Sequence, residues 1–557
     1  MNDSEAPLVF PTTGGLCVRY RDRLLYSERE PSRLPRRIAA ACDPGPGRIH
    51  LVLSPLLWYG IEELLAAAGP GSTVLGLEAD PQLAALARKS LRPELLQSGA
   101  VSFLESSSAE EMVRAAASMG RFRAVSVVPL SGGEALNAKL YRRVADLLKA
   151  EIESGWRNRA ALMLLGRRWA RNILENLAQL PELDVRRLPR YPGAAIVCGA
   201  GPSLESALPF MAEHREALAV LATDTSLGSL LQAGIEPDLV ICLEAQAHNL
   251  ADFVPLGSRR LPLLGDISSH PGSFRAVAGP KHLSFVSLAE SPFLDRLRAA
   301  LASAALPFRP MQPLGSVGVH AVDVARAIAG GPVFASGLDF SFEVGKTHAR
   351  GSPSLLAEER RLRRLHRWQN QLAISFRERN IPAPCPPLPE GPALLSDPVL
   401  LSYARLLGDT ASAEGAVLLD IRGRGPSLGI RTVDLKEAGK LLHAASHGNS
   451  RSEGPRCAPG HEAAGSPGEL AAHLLRFTQG ELDRIRLLKD SLKGRRRNSD
   501  EELCRAVIDL DYLYWSFPDG DRAVSLARDF LNRLLPEIDF WEWKLSETRS
   551  ALETLAP

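Results

Sequence analysis

The residues best suited to chemistry lie between positions 199 and 348, and they begin with a glycine-rich turn. The turn follows the apolar run 194–198 and consists of Gly199, Ala200, Gly201, Pro202, Ser203 and Leu204. A strand that ends in glycines and enters a helix presents unpaired backbone N–H groups at the positive end of the helix dipole. We therefore predict that these amides bind phosphate, with Ser203 as the helix cap.

The details of this turn favour a single nucleotide as the ligand. The sequence lacks the Lys-Ser/Thr pair of a P-loop, and Leu204 stands where a dinucleotide fingerprint has its third small residue. A tight strand-to-helix turn without a ligand remains the alternative.

Polar side chains also follow the next two predicted strands. Asp224 and Thr225 come after the apolar run 218–222, and Glu244 and Gln246 come after 239–243. The carboxyl ends of parallel strands meet at one edge of a sheet, where ligands of doubly wound folds bind. We expect these four residues to contact the nucleotide, although Asp224 could instead cap the following helix.

Composition excludes several classes of protein. The 557 residues predict about three domains, and 66 Lys and Arg against 64 Asp and Glu show no bias towards nucleic acid or an anionic membrane. The seven cysteines are scattered and never spaced C-x-x-C, which argues against a disulfide framework or structural zinc. No signal-peptide pattern or 18-residue apolar window is present, so we expect a soluble cytoplasmic protein.

Periodicity predicts an α/β protein in several parts. These are a hairpin and degenerate Rossmann-like unit at 1–135, a helical connector at 136–191, a central doubly wound domain at 192–352, an Arg-rich helix from Leu355 to about Asn380 with a small α/β extension at 353–444, a linker at 445–468, and a C-terminal α-helical bundle at 469–557.

Two further motifs need an interpretation. Glu78 ends the second strand of the N-terminal unit, where nucleotide-binding folds place a ribose-reading acid, but the first turn, residues 54–60, is too bulky for phosphate. We favour a structural remnant of a methyltransferase-like fold over an active cofactor site. A second Gly-Pro-Ser-Leu, at 425–428, has no buried apolar run immediately before it, and we interpret it as coincidence.

Three segments carry a family resemblance. GAGPSL, ATDTSLGSLLQAGIEPDLVICLEAQ and GSVGVHAVDVARAIAGGPVFASGLDFSFEVGKTHARG occur in this order over about residues 190–352. They resemble the central domain of the bacterial motility accessory factors, the flagellin glycosyltransferases. That domain is also described as 6-hydroxymethylpterin pyrophosphokinase-like, or MptE-like.

A more distant similarity concerns the bacterial sialyltransferases that use CMP-sialic acid, and it implies a sialyltransferase-like, GT-A-like central domain. These enzymes share GxGPSL, Ser-Gly-Val and Gly-x-Asp-Phe, matched here by residues 316–319 and 337–340. The resemblance implies that His348 is the catalytic base, and Asp339 would orient either His348 or the sugar. Gly315, Ser316 and Gly337 would then lie at the donor sugar. Sialyltransferases hold the leaving phosphate with tyrosines, whereas this chain has none between Tyr191 and Tyr403.

The resemblance implies transfer of a nonulosonic acid from a CMP donor to Ser or Thr of flagellin. No cofactor is required for this reaction, nucleic acid is not a partner, and homo-oligomers are left open. One alternative is a 6-hydroxymethylpterin pyrophosphokinase using ATP and Mg²⁺, with Asp224, Asp238 and Glu244 as the pool of metal ligands. Another is a non-catalytic flagellar assembly factor.

Overall fold

The computed structural model describes most of the chain, and its contacts divide it into two units, Met1–Ala161 and Leu162–Pro557. The described residues are 6–120, 122–286, 288, 291–343, 345–367, 370, 394–412, 414–448, 466–518 and 524–556.

The first unit contains two small sheets. Its strands are β1 (Leu8–Thr12), β2 (Gly15–Tyr20), β3 (Arg23–Leu24), β4 (Arg48–Leu53), β5 (Thr73–Glu78), β6 (Val101–Glu105) and β7 (Ala124–Val128). Its helices are α1 (Arg33–Ala40), α2 (Ile61–Ala67), α3 (Pro81–Ser90), α4 (Pro93–Gln97) and α5 (Ala109–Ser118). The first three strands pair antiparallel, and the others form a parallel sheet in the order β6-β5-β4-β7. The predicted hairpin and Rossmann-like unit are confirmed.

The second unit is built on an eight-stranded parallel sheet. Its strands are β8 (Ala194–Cys198), β9 (Leu218–Thr223), β10 (Leu239–Cys242), β11 (Leu263–Asp266), β12 (Lys281–Val286), β13 (Phe308–Met311), β14 (Val333–Ser336) and β17 (Leu418–Asp420), while β15 (Phe342–Glu343) and β16 (Leu394–Leu395) form a separate antiparallel pair. The strand order is β13-β12-β11-β10-β9-β8-β14-β17. Because the chain returns to the other side of β8 with β14, the strand order reverses between these two strands.

Helices cover this sheet and continue beyond it. They are α6 (Ala138–Gln179), which begins in the first unit, α7 (Leu204–Glu213), α8 (Leu227–Gln232), α9 (Pro271–Ala276), α10 (Pro292–Ser303), α11 (Val317–Ile328), α12 (Pro353–Arg361), α13 (Pro398–Ala411), α14 (Leu435–Gly448), α15 (Pro467–Leu492), α16 (Asp500–Asp509) and α17 (Arg528–Glu553). None of the helices in the described ranges is long and apolar enough to cross a membrane.

The strand β17 corrects the interpretation of the second Gly-Pro-Ser-Leu. All three residues of β17 are buried, and the strand pairs in parallel with β14 directly before the loop that contains 425–428. The central sheet therefore extends past residue 352. A run of three residues ending in Asp420 is too short for the apolar pattern to reveal it.

Two predicted boundaries also differ. The Arg-rich helix, expected to reach Asn380, ends at Arg361, because Leu362 is extended and Arg363 forms a bridge with His366; residues 371–380 lie outside the described ranges. Of the predicted linker, 449–465 lie outside the described ranges, and its first four residues belong to α14.

The C-terminal helices share a core with the central sheet's helices. Leu474 and Trp541 belong to the same buried cluster as Phe293 of α10. Arg296 of α10 donates to both carboxylate oxygens of Glu481 at 2.6 and 2.9 Å. The predicted helical bundle is therefore present, but it buries its apolar face against the α/β unit.

Candidate functional site

The glycine-rich turn lies at the reversal point between β8 and β14, and its amides are bonded to the protein itself. The N–H groups of Gly199 and Gly201 donate to carbonyl oxygens at the end of β14, at 2.8 and 2.7 Å. The N–H of Ser203 donates to Asp339 Oδ2 at 2.8 Å. The N–H of Leu204 donates to the Gly201 carbonyl at 3.0 Å.

The anion held by this turn is the carboxylate of Asp339. The Ser203 hydroxyl also donates to it, and the N–H of Gly337 donates to Ser203 Oγ at 3.0 Å. Burial raises the pKa of Asp339, while the two hydrogen bonds from Ser203 and the charge of Arg422 act in the opposite direction. These contacts contradict the prediction that the turn's amides bind phosphate, because the four N–H groups described above already donate to oxygens of the chain itself.

The glycines of the turn are required by the close approach of two loops. A Cβ on Gly199 would lie 2.4 Å from the Gly337 carbonyl oxygen, and one on Gly201 would lie 2.7 Å from Asp339 Cγ. Gly337 itself has a φ of +64°, which favours glycine. The motif therefore marks the place where the β8 turn packs on the β14 turn.

The loop that carries His348 is attached to the same turn. The N–H of Ala349 donates to the Ala200 carbonyl at 2.8 Å, and Lys346 Nζ lies 2.8 Å from Glu205 Oε2 at the start of α7. The structure thus brings the predicted base to the crevice at the reversal point.

The immediate partner of His348 is a threonine. His348 is half-buried, and its Nδ1 lies 2.9 Å from Thr347 Oγ1, which donates to Glu358 at 2.9 Å. Both carboxylate oxygens of Asp339 accept from Ser203, so Asp339 holds the turn, and its role in orienting His348 stays a prediction.

The predicted sugar-binding residues lie at the start of α11. Gly315 has a φ of +68°, and a Cβ there would lie 3.2 Å from the ring of Tyr403. Ser316 is the N-cap residue, and its carbonyl lies 3.0 Å from His320 Nδ1. A contact of Gly315 and Ser316 with sugar stays a prediction. Tyr403, which comes from α13 outside the predicted domain, reaches this turn and was not anticipated.

Three carboxyl groups cluster after β9 and β10. Asp224 is 1% exposed; its Oδ1 accepts the N–H of Thr225 at 2.9 Å, and its Oδ2 has no partner in the described part of the chain. Burial, followed by the negative charges of Asp252 and Glu244, raises the pKa of Asp224 to about 7. The pKa of Asp252 is raised to about 6, mainly by burial, and burial also raises that of Glu244. Asp252 lies in the 3₁₀ helix Ala247–Leu256, and the sequence analysis did not identify it.

Asp238 does not belong to this cluster. It precedes β10, whereas Glu244 follows that strand, so the two carboxylates lie at opposite edges of the sheet. Its oxygens accept from Val220 N at 2.7 Å and from Arg215 at 3.0 Å. Asp238 is therefore a structural group and is removed from the predicted pool of metal ligands.

A cavity of about 290 Å³ opens beside the acidic cluster. Its lining is Arg168, Arg171, Ala245, Gln246, Ala247, His248 and His270. Gln246 was predicted as a binding residue, and it does face this cavity. Arg168 and Arg171 were missed because they belong to the long connector helix α6, where surface arginines are common.

Comparisons with known proteins address the same region. Residues 171–345 match the family model described as 6-hydroxymethylpterin diphosphokinase MptE-like. The fold resembles the solved structure of the MAf glycosyltransferase from Magnetospirillum magneticum AMB-1, with a TM-score of 0.53 and 13% identity, over 99% of this chain and 91% of that chain. The fold class is thus α/β, with parallel sheets and C-terminal helices, and the chain shares this fold with that structure. The family model thus covers the central part of the chain, and the likeness to the solved structure is one of fold.

Two relatives come from Treponema pallidum (strain Nichols), and both are uncharacterized proteins. One is 28% identical over 571 aligned residues, which cover 98% of this chain and 96% of the relative. The other is 34% identical over 95 residues, 16% of this chain and 45% of that protein. The first alignment extends over nearly the full length of both proteins.

Proposed function

We propose that the protein is a glycosyltransferase that moves a nonulosonic acid from a CMP donor to a Ser or Thr hydroxyl of flagellin, in the cytoplasm. The observation that carries this proposal is a crevice in a glycosyltransferase-type fold where the His348 loop, the carboxyl cluster and a cavity lie along one edge of the sheet. Parallel sheets bind their ligands at this edge.

The reaction needs a base for the acceptor hydroxyl. Imidazole titrates near neutral pH and so exists as a base in the cell. We assign this role to His348, whose ring is oriented by the 2.9 Å contact with Thr347. The acceptor's proton would pass to the imidazole as its oxygen attacks the anomeric carbon, the bond from that carbon to the phosphate oxygen would break, and CMP would leave.

The assignment is tested with the full chain, flagellin and a CMP-linked nonulosonic acid. We expect His348→Ala to lower kcat by roughly 10²- to 10⁴-fold, the usual contribution of a general base. His366→Ala is the matched control, because His366 is an exposed histidine in the same part of the chain. Transfer by His348→Ala at the rate of the wild type would remove the base assignment, and the absence of transfer from any CMP-sugar would remove the proposed function.

The carboxyl cluster favours a second candidate, the Mg²⁺-dependent pyrophosphokinase. Mg²⁺ prefers oxygen ligands, and Asp224 Oδ2 is buried without a partner beside Asp252 and Glu244. Within the described ranges, no three His, Cys, Asp or Glu side chains already form a metal-binding group. Formation of AMP from ATP and 6-hydroxymethylpterin, dependent on Mg²⁺, would establish this activity. If the protein binds neither CMP nor ATP, the non-catalytic flagellar assembly factor remains as the interpretation.

A further inference from the structure

The half of α6 in the second unit is fixed to the carboxyl edge of the sheet by a ladder of side-chain amides. Asn172 and Asn176 are fully buried, and each donates twice to carbonyl oxygens of the loops after β10 and β11, at 2.7 to 3.0 Å. Gln179 donates to Asn176 Oδ1 at 2.7 Å. Residues four apart share a helix face, so this face of α6 is held directly over the two loops.

The same ladder positions two arginines. Arg168 lies one helical turn before Asn172, on the same face, and Arg171 immediately precedes it. Both line the cavity beside Gln246. A rigid helix therefore carries both guanidinium groups to the end of β10, where the carboxyl cluster begins.

The charge of these arginines is incompletely neutralised. Among the described residues, Arg168 forms no ion pair, and the carboxylate nearest to Arg171 is Glu175 at 3.7 Å. Glu175 is shared with Lys544, whose ammonium lies 2.8 Å from it. The cavity lining itself contains two arginines, two histidines and a glutamine, and no acidic residue.

One histidine of the cavity is oriented as a donor. His270 Nδ1 accepts the N–H of Gly272 at 3.0 Å, so the neutral ring carries its proton on Nε2. Burial and the nearby Arg275, Arg171 and Arg168 lower the pKa of His270, against the charge of Glu175. The cavity thus offers N–H donors from guanidinium, imidazole and amide groups.

We propose that this cavity binds an oxyanion group of the donor, the phosphate of the nucleotide, through Arg168 and Arg171. Guanidinium groups match phosphate oxygens with paired hydrogen bonds. This inference rests on the proposed function, and it supplies the phosphate contact that the turn at 199–204 cannot make. Small-molecule sites usually occupy roughly 300–1,000 Å³, so a cavity of about 290 Å³ suits the charged part of the donor rather than the whole nucleotide sugar.

Calorimetric titration of the full chain tests the proposal. The ligands are CMP, cytidine, inorganic phosphate and free N-acetylneuraminate, which separates phosphate from carboxylate as the source of the oxyanion. The variants are Arg168→Gln, Arg171→Gln and Arg168→Lys, with Arg476→Gln as the control, an exposed helical arginine without an ion pair in the described part of the chain. Thermal unfolding of each variant confirms that it is folded.

We expect each glutamine variant to weaken CMP binding at least tenfold, Arg168→Lys to weaken it less, and Arg476→Gln to leave it unchanged. A loss of N-acetylneuraminate binding with unchanged CMP binding would assign the cavity to the sugar carboxylate. Unchanged binding of both ligands in both glutamine variants overturns the proposal.

The outcome for this cavity is separable from that of the proposed function. If the wild type transfers sugar and the glutamine variants keep their CMP affinity, the cavity assignment fails and the function stands. If phosphate binds in an arginine-dependent manner but no CMP-sugar is used, the oxyanion site stands and the function fails. If the wild type binds neither CMP nor phosphate, both fail.

Discussion

The two α/β units of this protein differ in how completely the polar groups at the carboxyl ends of their parallel strands are paired. In the first unit, Glu78 accepts hydrogen bonds from Ser54 Oγ at 2.5 Å, from Tyr141 at 3.0 Å, and from the N–H groups of Ala79 and Asp80 at 2.9 and 3.0 Å. The carboxylate is fully buried and fully bonded. The Glu78 oxygens are occupied by hydrogen bonds within the unit and are not available to ribose hydroxyls.

The turn after β4 is also filled by its own side chains. The Trp58 ring occupies the space above Gly76, where a Cβ would lie 2.3 Å from it, and the indole N–H donates to the Ala87 carbonyl at 2.9 Å. These contacts support the interpretation of the first unit as a structural remnant.

The second unit resembles the first at its glycine-rich turn and differs one strand away. Asp339 satisfies the turn at 199–204 much as Glu78 satisfies the turn after β4. Beside it, however, Asp224 keeps an unpartnered oxygen, and Arg168 lacks a carboxylate among the described residues. The strand-turn-helix motif thus marks the place where two loops pack together, whereas the unpaired oxygen of Asp224 marks a position open to a water, an ion or a ligand.

The largest effect is expected from a substitution at Gly201, which tests whether the turn at 199–204 packs against its neighbour or binds phosphate. We expect Gly201→Ala to lower the free energy of unfolding by roughly 1–3 kcal/mol, because its Cβ would lie 2.7 Å from both Asp339 Cγ and the Gly337 carbonyl oxygen. Gly480→Ala is the matched control: no atom lies within 4 Å of its Cβ, and we expect a gain of roughly 0.5–1 kcal/mol in the helix. Denaturant unfolding measures both. If Gly201→Ala is as stable as the wild type but binds CMP more weakly, the phosphate-binding site would have to be assigned to the turn at 199–204.

The second prediction concerns the buried Asp224. Its pKa of about 7 lies above the unfolded value of 3.8, so the folded state binds more protons between these values, and stability falls as the pH rises through that window. Asp224→Asn removes this loss of folding stability, because the amide does not ionise. We expect a gain of about 2 kcal/mol at pH 8, below the ceiling of about 4 kcal/mol set by the full shift, and little gain at pH 4.

Urea unfolding of the wild type and Asp224→Asn at pH 4, 6 and 8 checks the pH dependence. A difference that does not change with pH would show that the carboxyl group is not buried as described. Added Mg²⁺ should raise the stability of the wild type above that of the variant only if the carboxyl cluster binds the metal. The pyrophosphokinase alternative requires such binding.

The smallest effect is expected in the first unit. Glu78→Gln places an amide donor among groups that already donate, and it should cost roughly 1–2 kcal/mol of unfolding free energy. Thermal unfolding measures this cost, and calorimetry should find CMP affinity unchanged. If Glu78→Gln binds CMP more weakly and Arg168→Gln binds it normally, the nucleotide site would lie in the first unit and not in the second.

Much of the scaffold followed from sequence, and less of the site did. The strands β8, β9, β10 and β14 are buried and mostly apolar runs bounded by turns, a pattern that local sequence records directly. Strand β13 was not predicted, because Arg309 and Pro310 interrupt its apolar pattern. Strand β17 and the end of α12 at Arg361 were missed, because a three-residue strand and a surface helix end depend on their neighbours. Asp252, Tyr403 and Arg168 were missed for the same reason.

The sequence by itself determined the strand-turn-helix at 194–213 and the polar residues that follow β9 and β10, since both depend on residues adjacent in the chain. Only the tertiary structure decided what these groups bind. Asp339 reaches Ser203 across 136 residues and takes the place of a phosphate, and the amide ladder of α6 brings Arg168 to the end of β10. Charge compensation in a buried site depends on distance in space, which the order of residues does not encode.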